Sequence, residues 1–185
     1  MKQCLPSLSI LGILLAFPFG GVAGEKTIHA GGFSNVSWGE SIEDASKKLP
    51  RFRVVPQGDD QRANGIPCDC VLMEEEENGE SIILLFYREK FLAIERHFLS
   101  PEPPKGRSTH DVKAALEKEM VDALGISDEG DLVFSLSGFN QVGGISTLFL
   151  LHRGQVGAAD KIYQREADEE NEKIAKETAK RVLGL

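Results

Sequence analysis

The feature that most constrains this chain is Ser81 to Phe98, SIILLFYREKFLAIERHF. Ile, Leu and aromatic side chains fill both faces of its first half, Ile82 to Tyr87. In the second half Leu92, Ile94 and Phe98 fall on one face, Glu95 and His97 on the other. A run that is apolar throughout predicts a strand buried on both faces, and an alternating run predicts a half-buried neighbour. The two join at Arg88-Glu89-Lys90 and predict an antiparallel pair.

The pattern returns at Ser146 to Tyr163, STLFLLHRGQVGAADKIY. Ser81 aligns with Ser146, Leu85 with Leu150, Arg88 with Arg153 and Ala93 with Ala158, while Phe98 becomes Tyr163. This predicts a duplicated unit, with its last strand, around Val156 to Tyr163, weakened by Gly157-Ala158-Ala159. The helix starts repeat as well. Ser41-Ile42-Glu43-Asp44 and Ser108-Thr109-His110-Asp111 share the spacing of a capping box, in which a serine hydroxyl and an acidic side chain satisfy free helix N–H groups. Ile42, Ala45 and Leu49 mark the first helix, stopped by Pro50. Val112, Ala115, Leu116, Met120, Ala123 and Leu124 mark the second, with Gly125 as its C-cap.

Between these landmarks, Ile28 to Trp38 predicts a short strand loosened by Gly31-Gly32. Arg51 to Val55 predicts another, Pro56 to Pro67 a polar loop, and Cys68 to Glu75 a third strand, turning at Asn78-Gly79, a pair suited to positive φ. Asp131 to Ser137 and Ile145 to His152 predict strands around a loose loop at 138–144. Arg165 to Leu183 predicts a charged helix, with Glu169–Lys173, Glu172–Lys176 and Glu177–Arg181 as i,i+4 pairs and a thin apolar stripe of Ala167, Ile174, Thr178 and Val182.

Lys2, the apolar run Leu8 to Phe19 and the small residues Gly21-Val22-Ala23-Gly24 read as a secretory signal peptide cut near Gly24. The run is shorter than the roughly 20 apolar residues of a membrane span and contains Pro18. The expected organisation is a signal peptide at 1–24, a first unit at 25–100, a linker at 101–107, a second unit at 108–163 and a terminal helix at 164–185. The fold class is α+β, two tandem units of a helix packed on an antiparallel sheet, plus a charged helix. The location expected is periplasmic or secreted. The formal charge is −8, and about −9 without Lys2, a balance opposed to nucleic acid or an anionic membrane surface as partner.

Cys68-Asp69-Cys70 is the one thiol motif after the apolar run. On a regular strand both side chains share a face, with Cβ atoms about 6.5 Å apart against about 3.8 Å in a good disulfide, so a bridge there needs a bend and would reduce easily. The bland reading is a structural bridge or two small apolar side chains, and it outweighs the redox one. His29, His97, His110 and His152 lack metal-ligand spacing, and His97 reads as a surface histidine on a polar strand face. The acidic run Glu74 to Glu77 reads as a solvated hairpin tip rather than a calcium loop. No nucleophile elbow, His-Glu-x-x-His or phosphate-binding glycine loop is present. No metal or cofactor is expected, and the chain is not expected to be an enzyme.

From Trp38-Gly39-x-Ser41 through Leu85-Phe86-Tyr87-x-x-Lys90-x-Leu92 the chain resembles small bacterial envelope proteins, namely the β-lactamase-inhibitor-protein-like fold and the small lipoproteins of outer-membrane protein assembly. The resemblance spans roughly Phe33 to Tyr163. It implies helix-plus-antiparallel-sheet units that work by binding other proteins. The chain departs from the lipoproteins in having no cysteine directly after its apolar run, and no functional residue of those families is carried over. The expected role is a non-enzymatic module that binds another envelope protein through exposed sheet or loops, with Trp38 and the loop Phe139-Asn140-Gln141 as candidate contacts. The competing class is a thiol-redox or metal-handling protein using Cys68 and Cys70. A small-ligand carrier with a pocket between helix and sheet is a third.

Overall fold

The computed structural model describes residues 26–57, 62–139 and 142–183. The expected signal peptide, Asn140 and Gln141 lie outside them. The chain begins with three two-residue strands, β1 (Ile28–His29), β2 (Gly32–Phe33) and β3 (Val36–Ser37), in a small antiparallel meander where one strand was expected. Gly32 permits the tight turn: at φ 141° a Cβ there would lie 2.1 Å from the Val36 carbonyl oxygen. The meander drives Phe33 and Val36 fully into the core.

Helix α1 (Ile42–Lys48) starts where the sequence places it, with the Ser41 hydroxyl accepting the Asp44 N–H. Strand β4 (Arg53–Pro56) follows. The expected loop contains a further hairpin, β5 (Arg62–Ala63) and β6 (Ile66–Pro67), turning at Asn64-Gly65, both at positive φ. Then come β7 (Cys70–Glu75), β8 (Ser81–Tyr87) and β9 (Lys90–Leu99). Asn78 and Gly79 turn the chain with φ of 62° and 81°, as their residue types require. Helix α2 (Thr109–Leu124) opens with a reciprocal capping box between Ser108 and Asp111 and closes on Gly125 in the left-handed conformation. β10 (Leu132–Ser137) and β11 (Ile145–His152) complete the strands.

Helix α3 (Arg153–Leu183) occupies the place where a last strand was expected. Val156, Ala159, Ile162 and Tyr163 recur at helical spacing, and the small Gly157-Ala158-Ala159 lets the helix lie close to the sheet instead of weakening a strand. The protein is α+β. Helix followed by antiparallel strands occurs twice along the chain, and both sets of strands join in one six-stranded antiparallel sheet of order β10-β11-β9-β8-β7-β4. Strands β8 and β11 flank β9 on its two sides. The residue-by-residue alignment of the two units does not survive: Leu85 and Leu150, matched in sequence, lie in opposite layers.

Those layers follow from strand alternation. On one face Leu72, Ile82, Leu84, Phe86, Ile94, Leu148 and Leu150 pack with Ala45 and Leu49 of α1 and Leu116, Met120 and Leu124 of α2. On the other, Val71, Leu85, Tyr87, Ala93 and Phe149 pack with Ile66, Cys68 and α3. A bulge beside Leu85 and Phe86 gives β9 one extra residue. Leu92 thereby joins Ala93 under α3, not Ile94 and Phe98 as the simple alternation predicts. Among the described residues no helix is long and apolar enough to cross a membrane.

Candidate binding face

Helix α3 covers only part of the second sheet face. It leaves the sheet at His152 and crosses the start of β9 toward the β5–β6 hairpin, so its buried residues Val156 and Ala159 pack with Leu92 and Ala93 of β9, Leu85 and Tyr87 of β8, and Ile66. A clasp fixes it there. The Arg88 guanidinium grips both oxygens of Glu166, Nε–Oε1 at 3.1 Å and Nη2–Oε2 at 2.8 Å, and the Tyr87 hydroxyl donates to Glu166 Oε2 at 2.7 Å. These hydrogen bonds, Arg88's first, hold the Glu166 carboxyl below its ordinary range. Burial, aided by the Glu166 carboxylate, pushes Tyr87 up to about 12. Arg88 and Glu89, at φ 46° and 67°, form a tight turn without glycine. It is held from both sides, since the Arg88 N–H donates to Asp69 Oδ2 and the Glu89 carbonyl accepts the Ile42 N–H at the start of α1.

Beyond α3 the face stays open. Its first feature is a hydrogen-bonded chain running across strands. Asn64 Nδ2 donates to Glu95 Oε2 at 2.9 Å, Glu95 Oε1 lies 2.7 Å from His97 Nε2, and His97 Nδ1 lies 3.1 Å from Ser81 Oγ. Its second feature lies one pair further out. Leu99 and Ile145 stand directly opposite each other on β9 and β11, 37% and 42% exposed. Val142, 53% exposed, belongs to the adjoining turn, which is tied to Ser100 by the Gly143 N–H and the Gly144 carbonyl. Half-buried Thr147 and exposed Ser135 and Ser137 border them on the same face.

A serine, an imidazole and a carboxylate in hydrogen-bond reach are the parts list of an acyl-transfer triad. Ser81, however, is 7% exposed and occupies a plain ladder position between Glu75 and His97, not a strained turn that projects its hydroxyl. We therefore read the chain as a polar lock that joins the β5–β6 hairpin to β9 and β8. His97 stands on the polar strand face that the sequence assigns it, half-buried and bound to Glu95 and Ser81.

The sequence-derived sites fare differently. Cys68 and Cys70 are free thiols. They do not share a face: a bend at Asp69 sends Cys68 into the layer under α3 and Cys70 toward the α1 layer. Burial pushes the Cys68 thiol up to about 11 and also raises that of Cys70, the reverse of the lowered pKa that activates a cysteine. Trp38 is half-buried, stacked on Phe91 at 4.7 Å with its Nε1–H donated to the Ala30 carbonyl at 2.8 Å. Phe139 is buried edge-on to Phe98, so it belongs to the core rather than to a contact loop. Glu75 and Glu77 are exposed as a solvated hairpin tip requires, but Glu74 and Glu76 are not part of one. Glu74 is 5% exposed and ion-paired to Lys26 at 3.0 Å and Arg51 at 2.9 Å, and Glu76 lies 2.6 Å from Lys26. Among the described residues no three His, Cys, Asp or Glu side chains gather at a common point. No family model, curated protein or solved structure matches the chain.

Proposed function

We propose that this protein is a non-enzymatic binding module of the cell envelope, exported by its N-terminal segment, that holds another protein against the open half of its second sheet face. The observation that carries the reading is the exposed cross-strand pair Leu99 and Ile145, with Val142 beside it. Protein interfaces place an apolar centre inside a polar rim, and here Thr147, His97, Ser135 and Ser137 supply the rim. The envelope assignment rests on the apolar N-terminal stretch and on the resemblance to small envelope proteins. The raised thiols and opposed directions of Cys68 and Cys70 weigh against thiol chemistry as the main activity.

The test is partner capture from the native envelope with the purified chain, beside Leu99→Asp, Ile145→Asp and a Cys68→Ser/Cys70→Ser control. The reading predicts one dominant partner, held by the cysteine control and lost by the two aspartate variants. Each substitution should weaken binding by about 2 kcal/mol, roughly thirtyfold, as expected for a residue central to an interface. Their exposure predicts little change in folding stability. Capture that persists in both aspartate variants, or that vanishes in the cysteine control with mixed disulfides in the parent chain, would refute it.

A further inference from the structure

Strand β10 is an outer strand of the six-stranded sheet, and its far side pairs with nothing. The Arg153 N–H donates to the Asp131 carbonyl at 2.6 Å, and in an antiparallel ladder such bonds recur at every second residue. Val133, Ser135 and Ser137 therefore bond β11. The backbone N–H and C=O of Leu132, Phe134 and Leu136 point the other way, and among the described residues none of them has a hydrogen-bond partner. Proteins guard such an edge with proline, charge or a bulge. The strand LVFSLS has no proline and no charge, and its register with β11 runs unbroken. The opposite edge, β4, is guarded. It is four residues long, carries Arg53, and turns outward Val54 and Pro56, of which Pro56 has no N–H to offer.

We propose that an extended segment of the partner protein adds to β10 as a further strand, antiparallel like every pairing in this sheet. Residues of that segment directly opposite Leu132, Phe134 and Leu136 share their face. They are apolar, because Phe134 is half-buried there on the α2 side of the sheet. The residues between them lie beside half-buried Val133 and exposed Ser135 and are small or polar. Charge selects the occupant. Asp128, Glu129 and Asp131, all exposed, gather at the start of β10, where Arg153 donates to the Asp128 carbonyl at 2.6 Å. Three acids to one base leave this end negative, so the added strand finishes in Lys or Arg. A second copy's β10 does not fit: laid antiparallel across Phe134, it brings Ser137 and Gly138 to this end and no cation. Ser135 and Ser137 also border the Leu99–Ile145 pair, so the added strand continues the proposed binding face. The inference rests on that reading for the source of the segment, while the edge itself is tested without it.

The test is amide hydrogen exchange, read by NMR, of the purified protein with the synthetic peptide acetyl-Ser-Val-Thr-Val-Ser-Val-Lys-Lys-amide. With its last valine opposite Leu132, its first lysine stands opposite Asp131. The amides of Leu132, Phe134 and Leu136 should exchange freely in the protein alone and become protected with the peptide. N-methylation of the three valines, whose amides face β10, should weaken binding more than about tenfold. N-methylation of the two serines and the threonine, whose amides face away, should leave it unchanged. Glutamates in place of the lysines should weaken binding roughly two- to fivefold per charge at low salt, and Asp131→Lys should shift the preference toward that peptide. No protection, protection indifferent to which amides are methylated, or equal binding of the glutamate peptide would overturn the proposal. So would protection of the three amides in the protein alone that fades on dilution, the mark of a second copy at the edge. In partner capture, excess peptide should displace the partner and the valine-methylated peptide should not. A partner lost with Leu99→Asp but held against the peptide would keep the binding face and overturn the added strand. Peptide protection with no partner captured would keep the open edge as a strand-binding site and refute the binding face.

Discussion

At the scale of single residues the structure turns on where side chains are aimed, and two of them yield direct tests. Cys68 is buried under α3 with its thiol pushed up to about 11 by that burial. At pH 8 it should resist iodoacetamide in the native protein and react at an ordinary rate once unfolded, with half-buried Cys70 reacting first; mass spectrometry of the labelled peptide reads the order. Rapid native labelling of Cys68 would mean that α3 lifts away. Glu166 gives a pH signature. Its carboxyl is lowered from an ordinary 4.5 by the hydrogen bonds from Arg88 and Tyr87. A depressed carboxylate contributes stability that is full above 4.5 and is lost as pH falls through the lower folded value. Glu166→Gln should therefore cost stability at neutral pH, about 1 kcal/mol after screening of so exposed a pair, and the gap to the parent chain should close on acidification. Urea midpoints measured across acidic pH check this.

The residue scale also marks the limit of the sequence. Counting back from Arg88-Glu89 through a regular hairpin sets Ser81 opposite Arg96. The bulge at Leu85 and Phe86 moves that register by one residue and sets Ser81 opposite His97, and the whole Asn64–Glu95–His97–Ser81 chain depends on the shift. Likewise, Cys68 and Cys70 share a face on any ideal strand, and only the bend at Asp69 parts them. Bulges and bends are answers to packing on neighbouring strands, and these left no mark in the local pattern.

At the scale of elements, the helices with capping serines were legible because a cap is a local chemical event: Ser41 and Ser108 each bond an N–H three residues on. Strands β7 to β11 were legible from their apolar patterning. The second part of α3, Arg165 to Leu183, was legible from its charge pairs, but its first part was not, because Val156 to Tyr163 matches the strand pattern of Ser81 to Phe98 and Gly157-Ala158-Ala159 then counts as a defect. Those small residues are what a helix needs to sit close to a sheet. Ala159 is 4% exposed in that contact. Ala159→Leu should overpack the junction and cost about 1–3 kcal/mol, whereas Ala179→Leu, on the exposed end of the same helix, should be near neutral. Thermal melts of the two variants decide whether α3 docks through this stretch. Equal melting points would mean that it does not.

At the scale of the whole molecule, the two helix-and-strand units are not separate bodies, since their strands pair in a single sheet through β9 and β11. Both faces of that sheet need cover. The first receives it from α1, α2 and the opening meander, and the second receives it only from α3 and the β5–β6 hairpin. The part left open is where Leu99 and Ile145 face outward, and no sequence pattern announces it, because Leu99 closes an alternating strand and Ile145 opens a buried one like any other apolar residue. The loop chosen from sequence as a contact, Phe139 onward, lies near this end, but Phe139 itself turned inward to Phe98. The measurement that tests this account most directly is site-specific photo-cross-linking in the native cell, with the reactive side chain placed at Ile145 and, as control, at Lys47 on the exposed side of α1. The account predicts one dominant protein adduct from position 145, lost when Leu99→Asp is added, and none from position 47. Adducts equally frequent from both positions, or none from 145, would contradict it.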